Sequence, residues 1–132
     1  MVLDTNVLVS AYSWEGNEEW VVSRCGSGEF RSITSPEILD ELGDVLFNKF
    51  NVPIGHVIEY LEKVILMSEI VFPEGDVDVI TDDPSDNSIL ETAMQGKAGL
   101  IVTGDRHLLA LGTFEGVRIL RAAELIRLTA SR

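Results

Sequence analysis

Gly99-Leu-Ile-Val-Thr103, followed by Gly104 and Asp105, is the run that decides the fold. Three successive apolar residues bounded by glycine and a polar residue suit a strand buried on both faces, the kind found inside parallel sheets. Just upstream, Asp83-Pro84 opens a helix predicted over 84–95 and closed by Gly96. Asp83 is the natural N-cap, with Asp82 before it, and proline at the first helical position gives up an N–H that has no helical partner anyway. Downstream, a short helix over 105–111, a strand over 117–120 and a helix over 122–128 complete the chain.

The amino-terminal half has the same rhythm. Residues 1–4 read as a short buried strand ending in an acid, followed by helices over 5–12 and 17–25. A second strand is expected over 29–34. Ser35-Pro36 then starts a helix to about residue 48, and another helix runs from about 53 to 67 with Val57, Tyr60, Leu61, Val64 and Ile65 on one face. Residues 70–72 are a candidate third strand, and 73–83 have loop character. Strands separated by helices imply a Rossmann-like three-layer α/β/α sandwich around a central parallel sheet. In such sheets ligands sit outside the carboxyl ends of the strands, so chemistry is expected there. The 132 residues make one domain, 1–132, of a size that can bury a core without staples.

Composition excludes several classes. The single cysteine, Cys25, rules out an internal disulfide framework and a cysteine-based zinc site. The most apolar region, 57–72, is interrupted by Glu59, Glu62, Lys63 and Glu69, so no membrane span is expected. The opening MVLDTN has no signal-peptide character, and a soluble, cytoplasmic protein is the expectation. The net charge of −12 is unevenly spread: residues 1–105 carry 20 acidic and 5 basic side chains, residues 106–132 only 2 acidic against 5 basic. An evenly acidic surface would repel a phosphate backbone.

Four acids on separate segments stand out. Asp4 and Asp105 each follow a strand and fall at the same edge of the sheet; the ordinary alternative is that each caps the next helix. On the helix SPEILDELGDVL, Glu41 lies just beside the apolar arc formed by Ile38, Leu39, Leu42, Val45 and Leu46, with Glu37 further out and Asp40 and Asp44 facing solvent. Asp86 falls inside the apolar arc of its helix, where a carboxylate is costly unless paired or bound to a metal; the ordinary alternative is a local cap in the first turn, where the helix dipole favours an anion. Packed carboxylates resist ionising without a cation, and hard oxygen ligands suit Mg²⁺ or Mn²⁺. No Cys/His spacing for zinc is present. His107 could touch a phosphate, although a lone surface histidine beside a cap is more often inert, and His56 reads as an ordinary helix residue.

VLDTNVLVSA, SPEILDELGDVL, DPSDNSIL and LIVTGDRHLL, in that order, resemble the PIN-domain family, which includes the VapC toxins of toxin–antitoxin pairs. The resemblance covers nearly the whole chain. It implies Mg²⁺- or Mn²⁺-dependent cleavage of RNA by a ribonuclease toxin, with an antitoxin and a second copy of the chain as expected partners. The family's four acids fall on Asp4, Glu41, Asp86 and Asp105, and its small polar residues on Thr5, Asn6 and Thr103. Asn87 stands where many relatives carry another acid, which leaves a second metal site open. Arg106, Arg118 and Arg121 are the candidate RNA contacts. A haloacid-dehalogenase-type phosphatase would need an Asp where Asn6 stands, and a phospho-receiver would need an acidic neighbour for Asp4. A catalytically idle PIN-like module that only binds a partner is the remaining alternative.

Overall fold

A computed structural model describes residues 1–78 and 83–130; Asp82 and part of the loop expected over 73–83 lie outside the described residues. Six strands form one sheet: β1 (Val2–Leu3), β2 (Ser32–Thr34), β3 (Ser68–Ile70), β4 (Leu100–Val102), β5 (Thr113–Phe114) and β6 (Val117–Leu120). The helices are α1 (Thr5–Ser13), α2 (Asn17–Gly26), α3 (Pro36–Asp44), α4 (Ile54–Leu66), α5 (Pro84–Gln95), α6 (Arg106–Leu111) and α7 (Ala122–Ala130). A π-helical turn, Val45–Lys49, extends α3, which accounts for the longer helix expected there.

The strand order is β3-β2-β1-β4-β6-β5, and every pairing is parallel except β5 with β6. The architecture is therefore the expected α/β sandwich, with one antiparallel edge that the sequence reading missed. From β1 the chain proceeds outward to β2 and β3, then returns to the other side of β1 for β4. The order reverses at β1, and in sheets of this kind a crevice opens at the reversal. That crevice lies between the carboxyl ends of β1 and β4.

The centre of the sheet is apolar throughout: Val2, Ile33, Ile101 and Val102 are fully buried, as double-sided coverage requires. Val2 aligns with Ile33 on one side and Ile101 on the other, so the strands meet in a shared layer. β3 lies two residues earlier than expected, because the pairing partners of Ser32–Thr34 are Ser68–Ile70. Ser32 and Ser68 join side chains at 2.8 Å across that pair. At the end of α5, Gly96 has φ −80, and the left-handed residue is Lys97 at φ 54. Gly96 is required for a different reason: a Cβ there would stand 2.6 Å from Cγ2 of Ile33, so α5 could not approach β2.

Cys25 is buried on the inner side of α2, and its thiol is pushed up to about 11 by burial. Tyr60 anchors α4 to α1 by donating its hydroxyl to the Leu8 carbonyl at 2.7 Å. Among the described residues, no helix is long and apolar enough to cross a membrane.

Candidate active site

Asp4 is the residue immediately after β1, and its backbone N–H continues the ladder by donating to the Val102 carbonyl at 3.0 Å. The side chain makes no cap to α1. Instead it accepts the hydroxyl of Thr103, at the end of β4, at 2.6 Å. Thr103 also accepts the Asp105 N–H on the same oxygen at 3.0 Å, so one buried hydroxyl orients both segments. Burial raises the Asp4 pKa, Thr103 and the Thr5 N–H oppose that rise, and Asp105 and Asp83 add to it. Thr5 is itself buried, whereas Asn6 is exposed.

Asp105 does cap its helix: Oδ1 accepts from the N–H groups of His107 at 2.8 Å and Leu108 at 3.2 Å. The cap fixes the carboxylate's direction at the crevice. His107 lies closer to the chemistry than its surface-residue reading allowed, with Nδ1 3.8 Å from Asp105 Oδ1. Ligand atoms of Asp86, Asp105 and His107 all lie within 4.8 Å of one another, so these three could share one metal ion.

Asp86 is only 4% exposed, as its place on the apolar arc required. Asp83 starts α5 by accepting the Ser85 N–H at 3.0 Å, which brings Asp86 into the first turn. One of its oxygens, Oδ2, is buried with no hydrogen-bond partner among the described residues. Its pKa is pushed up to about 7, chiefly by burial and then by the neighbouring Asp105, Asp83 and Asp4. A desolvated carboxylate with a lone oxygen beside other acids is a good fit to a divalent cation.

Glu41 is half-buried, and its pKa is raised by burial, by Asp4 and by Asp83. It therefore feels the field of the site but is outside the three-residue group of closely spaced ligand atoms. Asp40 and Asp44 are exposed, as expected. Among the arginines, Arg106 opens α6 directly after Asp105, and Arg121 follows β6 at the carboxyl edge. Arg118 aligns with Leu100 at the amino-terminal end of β4 and pairs with Glu124 at 3.5 Å, so it is set back from the acids.

Glu91 escaped the sequence reading. It is 4% exposed and accepts backbone N–H groups from Glu74, Gly75, Asp76 and Val77. No side-chain motif announces such a site, since four of its five partners are main-chain donors; a carboxylate at an otherwise buried helix position was the main signal.

Clustered carboxylates at the switch point of a parallel sheet are a donor set that could hold a divalent cation. The sequence profile of the PIN domain matches residues 1–107, and the chain belongs to the PIN-domain family. Membership carries a nuclease-type, hydrolytic function, and PIN nucleases typically use divalent metals. No curated protein matches the chain.

Proposed function

We propose that the protein is an Mg²⁺- or Mn²⁺-dependent endoribonuclease, the toxin of a toxin–antitoxin pair acting in the cytoplasm. The observation that carries this reading is Asp86: a buried carboxylate with one oxygen unpartnered among the described residues, beside Asp105 and the Thr103-held Asp4. Asp4, Asp86, Asp105 and Glu41 are assigned to the metal, with His107 as an added candidate ligand from its spacing. When bound, the cation supplies an activated water and stabilises charge on the phosphate being cleaved.

The chain's own residues do the positioning. Thr103 keeps the Asp4 carboxylate from rotating, the α6 cap does the same for Asp105, and the α5 first turn holds Asp86. Glu41 approaches from α3 and adds negative charge that holds the cation and repels an unneutralised phosphate. Arg106 and Arg121, at the same edge, are positioned to draw the RNA backbone in. An acidic crevice also suits a basic antitoxin segment, whose inhibition should weaken as salt screens it.

The test is a gel of mixed cellular RNAs incubated with protein and Mn²⁺, beside an Asp4→Asn control. Cleavage by the wild type and none by the control is expected. Metal binding without cleavage of any RNA would instead favour an idle, partner-binding module.

A further inference from the structure

Five hydrogen bonds converge on Glu91. Oε1 accepts from Asp76 N at 2.7 Å and Val77 N at 3.1 Å; Oε2 accepts from Glu74 N, from Gly75 N at 3.2 Å and from Gln95 Nε2 at 3.2 Å. A single buried carboxylate thus gathers four consecutive main-chain donors of a loop whose residues Glu74, Gly75 and Asp76 are exposed. Only Val77 of this loop packs against the core while residues 74–76 are exposed, so the expense of burying an acid is directed at the loop's placement. The loop walls a cleft of about 550 Å³ whose lining includes Pro73, Gly75, Asn87, Ser88 and Glu37. Asn87 is next to Asp86, and Glu37 is one helical turn before Glu41, so the cleft runs alongside the acids. Its volume is that of a small-ligand site. The lining carries the carboxylates of Glu37, Glu74 and Asp78 with the Asn87 amide and the Ser88 hydroxyl, an acceptor-rich set that suits sugar hydroxyls and base amino groups better than phosphate.

We infer that Glu91 is a positioning residue: by holding loop 73–78 as the outer wall of this cleft, it seats the RNA nucleotide next to the one being cleaved. The inference rests on the nuclease reading above. It assigns Glu91 no contact with the reacting atoms; its effect passes through the wall.

The test compares wild type and Glu91→Gln, which keeps the volume but turns an amide N–H₂ toward two of the four donors. Amides 74–77 should exchange with solvent about tenfold faster in the variant. KM for a single-stranded oligonucleotide should rise about tenfold, with kcat and Mn²⁺ affinity within about twofold of wild type. Faster exchange with unchanged KM would overturn the inference, as would a joint loss of kcat and metal affinity, which would place the effect on the acids. A wild type that cleaves no RNA would defeat the nuclease reading instead. The Kd for uncleaved oligonucleotide in Ca²⁺ then decides about the wall, and an equal Kd in both proteins overturns it. If Glu91→Gln does not fold, Gly75→Val replaces it: Gly75 has φ +86 and open space around it, so the change strains the loop from outside the core. It should raise KM in the same way, and an unaltered KM counts equally against the inference.

Discussion

At the scale of single residues, the four acids are not equivalent. Asp4 and Asp105 have donors already aimed at them, whereas Asp86 keeps a buried oxygen without one among the described residues. Removing that charge should relieve the apoprotein and deprive the metal of a ligand. With a chelator present, Asp86→Asn should melt at or above the wild-type temperature, because an unpaired buried carboxylate is costly. With Mn²⁺ the order should reverse: a ligand at 100 times its Kd stabilises the wild type by about 2.7 kcal/mol, and the variant by much less. Equal Mn²⁺ shifts in a thermal melt would take Asp86 out of the site. Glu91 has the opposite electrostatics. Burial would raise its pKa, but the N–H groups of Glu74, Val77, Asp76 and Gly75 outweigh that and lower it. A carboxylate lowered in the folded state adds stability above its unfolded pKa and loses it as pH falls through the folded value. The wild type's melting temperature should therefore drop more steeply than that of Glu91→Gln below about pH 4.5. Parallel curves would show that the loop contributes nothing to acid stability.

At the scale of elements, helix α3 sorts its acids by angle. Glu41→Gln should abolish cleavage and leave the circular dichroism spectrum unchanged, while Asp40→Asn and Asp44→Asn should keep activity within about twofold, as exposed charges do. Loss of activity in Glu37→Gln with Glu41→Gln still active would show that the wrong face had been chosen. The same periodicity explains what was legible in the sequence. Ser35-Pro36 and Asp83-Pro84 both cap helices as their chemistry demands, and the apolar run of Leu100–Val102 lies at the buried centre of the sheet. Asp86 could be placed because its neighbours Ile89, Leu90 and Ala93 fix the buried side of α5. What stayed hidden depends on pairing across space. β5 is two residues long and owes its existence to β6 beside it. β3 was misplaced because Ile70, Val71 and Phe72 look more strand-like than Ser68 and Glu69, yet β2 selects the latter. His107 was set aside as a surface residue, and only the folded chain brings a ring nitrogen of it close to the carboxylates of Asp86 and Asp105.

At the scale of the whole molecule, the proposed ribonuclease has to hold RNA against a net charge of −12. Contacts have to be few and confined to the carboxyl edge where Arg106 and Arg121 lie. With two to four phosphates engaged, the logarithm of binding affinity should fall with the logarithm of salt at a slope of roughly −1.5 to −3. Replacing Arg106 and Arg121 with Ala should weaken binding and flatten that slope with Mn²⁺ affinity intact. Arg118→Ala should do less, since Glu124 already engages it. A slope near about −6 would require more phosphate contacts than this edge provides.

The lone thiol gives the molecule a built-in clock. Cys25 is 2% exposed, and its pKa of about 11 leaves little thiolate near neutral pH. Both barriers disappear when α2 comes away from α1 and α7, so reaction with an aromatic disulfide reagent counts opening events rather than native encounters. The labelling rate should be at least about a hundredfold slower than in urea-unfolded chain, and Mn²⁺ should slow it further if the cation binds only the closed form. Rapid labelling of the native protein would mean that α2 detaches far more often than the rest of the core unfolds. No mutation or added fluorophore is needed, because the sequence carries a single reactive atom of this kind.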